Sequence, residues 1–228
     1  MISQSEQDYL KAIYEMQYER GDEWVATSSL AQRLGVSAAS VTEMLKKLAA
    51  PERELVRYER YHGARLSDEG ERAALEVIRH HRLLESFLSQ ALGYTWDMVH
   101  AEAHRLEHAI SEELEDRIAR YLGEPARDPH GSPIPQRNGA MEALHDRCLT
   151  DLPPGRRAQV CRVLDDDPAL LRYLGELGLV LGARVEVTER GPFQGPLYVR
   201  LLEPSAVHAL GAGVTDQVFV VMEEMSAD

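Results

Sequence analysis

Cysteine is nearly absent: Cys148 and Cys161 are the two thiols in 228 residues. Two are too few for a disulfide framework, and neither has a neighbouring cysteine at metal-ligand spacing, so reduced, inert thiols are expected. Aromatic residues are scarce at 6%, yet 44% hydrophobic and 28% charged side chains suffice for proper cores and exclude a wholly disordered chain. No apolar run approaches the roughly 18 residues of a membrane span, and Met1-Ile2-Ser3-Gln4-Ser5-Glu6 lacks the basic-then-apolar layout of a signal peptide. A cytoplasmic protein without a membrane partner is expected.

Catalytic motifs are missing as well. There is no Gly-x-Ser-x-Gly elbow, no Gly-x-x-x-x-Gly-Lys loop, no His-Glu-x-x-His and no cysteine with an identifiable catalytic partner, so the chain is read as a non-enzyme. Basic charge is also in deficit. Lys and Arg number 25 against 38 Asp and Glu, a net −13, so the whole-body field repels phosphate and any nucleic-acid contact must be local.

The length favours two or three domains. Leu10, Ile13 and Tyr14 recur at helical spacing and predict a first helix over about 4 to 19, ended by Gly21-Asp22. Thr27-Ser28-Ser29 offers cap hydroxyls to a short helix stopped by Gly35, and Ser37 caps a second helix with apolar Val41, Met44, Leu45 and Leu48. A helix, a glycine turn and a helix make a helix-turn-helix. Residues 55–59 and 64–66 alternate like strands around Tyr61-His62-Gly63, the hairpin of a winged helix.

Ser67 starts a long helix to about Leu92, closed by Gly93, and Thr95 starts another predicted to run to about Leu122. From Glu124 to Pro154 periodicity fails and prolines and glycines accumulate, the pattern of a tether. Short β-rich segments at 158–163, 183–187, 197–202 and 218–221 then predict a small antiparallel barrel. The expected fold class is mainly α with a small β part. Its domains are a winged helix-turn-helix (1–66), a helical metal-binding and dimerisation domain (67–123), a Pro-rich tether (124–154) and an SH3-like barrel (155–228).

Five of the nine histidines fall at 80, 81, 100, 104 and 108. On one predicted helix His100, His104, Glu107 and His108 stand at i, i+4, i+7 and i+8, which turns three imidazoles and a carboxylate to one side. His81 and Glu85, at i and i+4 on the preceding helix, can grip one ion, and an antiparallel hairpin can bring them against His100. A solvated polar face explains a lone histidine; apolar neighbours such as Leu83, Leu84, Phe87, Leu88 and Leu106 make it a poor account of four. Unsatisfied groups there would cost about 1–3 kcal/mol each, so one or two metal sites are expected.

On the second helix of the helix-turn-helix, Ser37, Ala38, Ala39, Ser40, Thr42 and Glu43 are the early exposed positions, followed by Lys46 and Lys47. Hydroxyls and small apolar groups suit phosphates and thymine methyls, and lysines suit the backbone. With Arg60 and Arg65 in the wing, segment 37–65 is locally basic, whereas 97–124 holds eight acids against three arginines. Double-stranded DNA is the expected partner.

Together these residues resemble the diphtheria toxin repressor family of metal-dependent transcription factors, over nearly the whole chain. The likeness is carried by Asp8-Tyr9-Leu10-Lys11-Ala12-Ile13-Tyr14-Glu15, Val36-Ser37-Ala38-Ala39-Ser40-Val41-Thr42, His81-Arg82-Leu83-Leu84-Glu85 and residues 99–108. His130-Gly131-Ser132-Pro133-Ile134-Pro135 and residues 174–185 extend it. The resemblance implies a primary metal site of Asp8, His104, Glu107 and His108, with Asp8 where iron-sensing members have methionine. His104 stands where those members have cysteine and manganese sensors have glutamate. It also implies an ancillary site of His81, Glu85 and His100 plus a barrel oxygen, with Asp167, or its neighbours Asp165 and Asp166, the nearest match. Lys11 departs from the manganese-sensor pattern, which has a second carboxylate there.

A donor set of two carboxylates and two imidazoles without sulfur leans to a harder ion, so Mn²⁺ is expected as corepressor and Fe²⁺ next; imidazole also accepts Zn²⁺, Co²⁺ and Ni²⁺. The function implied is a metal-dependent repressor of metal-ion homeostasis that binds palindromic operators as a homodimer. A metal-dependent hydrolase or oxidase with a structural helix-turn-helix, and a winged-helix regulator answering to a non-metal ligand, are the alternatives.

Overall fold

A computed structural model describes residues 2–20, 23–164, 167–203 and 205–223, the side chains of residues 19 and 20 excepted. The chain divides into two compact units. One comprises Met1–His81, His104–Arg117 and Pro135–Met141; the other Arg82–Ala103, Ile118–Ile134 and Glu142–Asp228.

In the first unit, α1 (Gln4–Arg20) buries Leu10, Ile13 and Met16, α2 (Thr27–Leu34) buries Leu30, and α3 (Ala38–Leu48) buries Val41, Leu45 and Leu48 in a common core. Gly35 ends α2 at φ 65, a left-handed conformation that only glycine adopts without cost. Ser37 caps α3, its side chain accepting the Ser40 N–H at 3.1 Å. The cap of α2 differs from expectation: Ala26 is the N-cap, without a side-chain bond, and Thr27-Ser28-Ser29 lie inside the helix. The wing is an antiparallel hairpin of β1 (Val56–Glu59) and β2 (Gly63–Leu66) in register from Val56 opposite Leu66 to Glu59 opposite Gly63.

α4 (Asp68–Leu92) follows as predicted. The next helix does not run unbroken to Leu122. α5 (Trp96–Leu106) stops, residues 107–111 form a connection, and α6 (Glu112–Tyr121) begins afresh. Ser111 is the reason: its hydroxyl accepts the Leu114 N–H at 3.3 Å, its carbonyl accepts that of Glu115, and Glu112, Glu113 and Glu115 in the first turn complement the helix dipole.

The second unit is built on a six-stranded antiparallel sheet of β3 (Arg147–Cys148), β4 (Arg157–Val163), β5 (Arg184–Arg190), β6 (Leu197–Leu201), β7 (Ala206–Leu210) and β8 (Val218–Met222), in the order β3-β8-β4-β5-β6-β7. Register shifts interrupt β4 against β8 and β5 against β6, which strengthens the twist of this small SH3-like sheet. α7 (Pro168–Leu177) and a short α8 (Ala212–Thr215) complete it, over a core that includes Val160, Leu171, Leu174, Val185, Val199 and Val220. Part of the Pro-rich stretch is packed: Asp128 and residues 130–135 are buried. Gly131 at φ +88 approaches β4 so closely that a Cβ would sit 2.1 Å from the Cys161 carbonyl oxygen.

Candidate metal centre

Because α5 ends at Leu106, Glu107 and His108 reach the histidine face from a turn rather than from mid-helix. The grouping survives this. Asp8, His104, Glu107 and His108 each offer one ligand atom, all within 4.8 Å of one another. Asp8 is delivered by α1, His104 by the last turn of α5, and the other two by the connection.

The His108 ring donates from Nδ1 to the Gln7 amide oxygen at 2.7 Å, so its Nε2 turns to Asp8 Oδ1 at 3.0 Å and Glu107 Oε1 at 3.3 Å. A ring nitrogen aimed at two carboxylate oxygens needs a proton or a cation between them, and an orienting bond at the other nitrogen is what metal-binding histidines use. His104 Nδ1 lies 2.9 Å from the same Oε1. Glu107 is fully buried, and its second oxygen meets Lys11 Nζ at 2.9 Å and the His81 Nδ1. Burial pushes the Glu107 carboxyl up, but the hydrogen bonds from His104 and His81 and the charge of Lys11 outweigh it and hold the group well below the usual carboxylate range. The site therefore keeps an anion poised for a cation.

A second donor group lies in the other unit. Glu85 Oε1 is 3.2 Å from His100 Nδ1, and Glu85, Asp128 and His130, all buried, have ligand atoms within 4.8 Å of one another. His130 Nε2 donates to the Trp96 carbonyl at 2.7 Å, which turns Nδ1 toward Glu85 Oε2, 3.6 Å away. Asp128 Oδ1 accepts the backbone N–H groups of His130 and Ser132. His81 stands one turn before Glu85 on α4. Asp167 is not among the described donor groups: its carboxylate caps α7, accepting the N–H of Ala169 at 2.8 Å and of Leu170 at 3.4 Å. Asp165 and Asp166 lie outside the described residues.

On α3, Ser37, Ala39, Ser40, Glu43, Lys46 and Lys47 are exposed and Thr42 is half-buried. Several of them are locally engaged: Ser37 and Ser40 bond each other through their hydroxyls at 2.9 Å, Thr42 donates to the Ala38 carbonyl, and Lys46 pairs with Glu43 at 2.8 Å. Lys47 reaches back 3.3 Å to the buried Glu6 of α1, which Arg53 also meets at 3.2 Å. In the wing, Arg60 is exposed beside Tyr61, whereas Arg65 lies over the Trp24 ring at 5.0 Å and 3.5 Å from Glu23.

Known proteins match this arrangement along the chain. Residues 1–64 match the iron dependent repressor N-terminal DNA binding domain, 67–136 the iron dependent repressor metal binding and dimerisation domain, and 147–222 the FeoA domain. The iron-dependent repressor IdeR of Mycobacterium tuberculosis is 35% identical over 193 residues, covering 78% of this chain and 81% of that protein. The chain belongs to the iron-dependent repressor family. Another relative in this family of transcriptional repressors, the diphtheria toxin repressor of Corynebacterium glutamicum, is 30% identical with the same coverage, 78% and 81%. Among solved structures, a manganese-dependent transcriptional repressor in complex with manganese superposes with TM-score 0.89 at 42% identity, covering 96% of this chain and all 100% of that one. The manganese regulator SloR gives 0.81 at 30%, covering 96% and 98%.

Within this family member, sequence reasoning missed Gln7, Asp128 and His130. Gln7 precedes Asp8 and sits on the same helix, but its tie to His108 spans 101 positions and leaves no periodic trace. Asp128 and His130 stand in a stretch whose prolines read as a tether; an Asx-type turn, with Asp128 accepting the His130 N–H, is the local signal that could have found them.

Proposed function

We propose that this chain is a divalent-metal-dependent DNA-binding repressor whose primary ion is held by Asp8, His104, Glu107 and His108. The observation that carries the reading is the convergence of two imidazoles and two carboxylates from α1, α5 and the 107–111 connection on one point within 4.8 Å. The chemistry of that set, nitrogen and oxygen without sulfur, fits Mn²⁺, with Fe²⁺ the alternative. The names of the relatives include both metals. A second ion is assigned to Glu85 with Asp128 and His130, whose ligand atoms lie within 4.8 Å of one another; His100 is 3.2 Å from Glu85 Oε1, and His81 stands one helical turn before Glu85.

When bound, the primary ion supplies two positive charges that the four donors share. The residues do the rest. Asp8 ties α1 to the histidines, Gln7 fixes the His108 ring, and Glu6, two residues before Asp8, grips Lys47 of α3 from the opposite side. α1 thus links the ion to the recognition helix, so fixing α1 selects one presentation of α3. Ser37, Ala39, Ser40, Thr42, Glu43 and Lys46 are assigned to the DNA surface, with Arg60 at the wing tip. A homodimer would set two such surfaces about 34 Å, one DNA turn, apart and match a palindromic operator.

The experiment is fluorescence anisotropy on the protein's own upstream DNA, with chelator and with Mn²⁺, Fe²⁺, Zn²⁺, Co²⁺ and Ni²⁺. Metal should tighten binding about 5- to 150-fold, the range of a coupling of about 1–3 kcal/mol. In Asp8→Ala with His108→Ala that dependence should vanish while the far-UV spectrum is retained. Metal-stimulated binding unchanged in the double variant would falsify the assignment.

A further inference from the structure

α3 turns Val41, Leu45 and Leu48 into the core, so Ala39, Glu43 and Lys46, at i, i+4 and i+7, stand on the opposite face. All three are exposed, the side chains of Glu43 and Lys46 by 75% and 60%. The shorter polar groups beside them are already bonded within the helix and its cap. Ser37 and Ser40 join hydroxyls at 2.9 Å, Ser37 also accepts the Ser40 N–H, and Thr42 donates to the Ala38 carbonyl at 2.9 Å. Lys47, on the flank, is held by Glu6 at 3.3 Å. Ala39 has no hydrogen-bonding side chain. Glu43 and Lys46 are therefore the long polar groups that this face extends outward. Their mutual bond, 2.8 Å across one exposed turn, is of a kind worth little in water.

Glu43 is the anomaly. Duplex DNA carries one negative charge per roughly 1.7 Å of its axis, so a carboxylate on the reading face of a helix weakens binding to every sequence alike. A base edge that donates a hydrogen bond to it reverses that loss at one position. In the major groove cytosine donates through N4 and adenine through N6. The adenine donor lies between two acceptors, its own N7 and the thymine O4, which repel a carboxylate. The cytosine donor lies at one end of its edge, with the O6 and N7 acceptors of the paired guanine beyond it. Glu43 and Lys46, an acceptor beside a donor, match that second order. We infer that Glu43 is a specificity-determining residue that reads a cytosine, its carboxylate accepting from N4, so that the operator carries an obligatory C·G pair beneath α3. The inference rests on the DNA-binding reading above and adds to it the base that α3 demands.

The test uses the full chain with Mn²⁺ or Fe²⁺ at one fixed salt concentration and a library of duplexes randomised over about two helical turns. Sites selected by the wild type should share a C·G pair that is missing from those selected by Glu43→Ala, a change at an exposed position that leaves the core face of α3 intact. Affinity is then read by anisotropy on the wild-type site and on the same duplex with 2-pyrimidinone, which pairs with guanine but lacks the N4 amino group, in place of that cytosine. The wild type should lose about 5- to 150-fold on the altered duplex, the range of a good base contact, and Glu43→Ala less than about twofold. Wild-type sites without a shared C·G pair, the same sites selected by Glu43→Ala, or an equal loss on the 2-pyrimidinone duplex in both proteins would overturn the inference and leave Glu43 a solvated partner of Lys46. If the wild type enriches no duplex with either ion, the DNA-binding reading fails and takes this one with it; if it enriches duplexes and Glu43→Ala selects the same ones, this one alone fails.

Discussion

Glu107→Gln in metal-free protein isolates what the carboxylate does before an ion binds. The group is 0% exposed and accepts from His104, His81 and Lys11, and its change to an amide leaves the Lys11 ammonium, 9% exposed, without a counter-charge. Removing one partner of a buried ion pair costs about 3–5 kcal/mol. For a chain of this size 1 kcal/mol moves the melting temperature by about 2–4 °C, so a fall of about 6–20 °C is expected in chelator. Thermal melts and urea unfolding read by circular dichroism measure it. A cycle sharpens the result: Glu107→Gln with Lys11→Met removes both charges together and should recover about 1–3 kcal/mol relative to the sum of the single changes. A loss below about 1 kcal/mol for Glu107→Gln, or additivity in the cycle, would refute the idea that this pair links α1 to the metal-binding connection in the apo state.

Two further outcomes follow from the DNA-facing part. Glu6 is 1% exposed; its burial acts to raise its pKa, but bonds from Ser3 and Lys47 and the charge of Arg53 lower it overall. Its stabilisation is therefore present above the ordinary carboxylate range and lost as pH falls through the depressed value. Glu6→Gln should cost about 1–3 kcal/mol at neutral pH, with the gap to the wild type closing in acid, and should weaken the metal dependence of DNA binding because α1 no longer holds Lys47. In the wing, Arg60→Ala should lower the salt slope of DNA binding by about one phosphate, whereas Arg65→Ala should change it less, because Arg65 is held by Trp24 and Glu23. Salt titrations of anisotropy separate the two.

Much of the scaffold is legible in the residues because local rules and the fold agree. The apolar spacing of α1, Gly35 in the left-handed region, the Ser37 cap and the alternation around Tyr61-His62-Gly63 each decide their element without help from distant contacts. The error at α5 and α6 has a physical source. Residues 107–111 carry no proline or glycine, so periodicity runs straight through, and the stop is set by Ser111 as a cap for the next helix and by the side chains of Glu107 and His108 turning to their partners. The small sheet was read in part: β4, β5, β6 and β8 alternate visibly, while α7 and the edge strands β3 and β7 escaped. Histidine spacing marks the second half of the metal centre, but nothing local ties Asp8 to it, and that partner came from the family resemblance. Glu85 and His100 lie on helices, where spacing shows them, whereas Asp128 and His130 lie on an irregular segment whose burial is a tertiary fact.

The central claim is that one divalent ion joins α1 to the histidines of α5 and the connection beyond it. A crystal of the full chain grown with Mn²⁺, measured on both sides of the manganese absorption edge, tests it most directly. An anomalous peak within bonding distance of Asp8, His104, Glu107 Oε1 and His108 Nε2 is predicted. Full occupancy of manganese elsewhere in the same crystal, with no peak among those four side chains, would contradict the account.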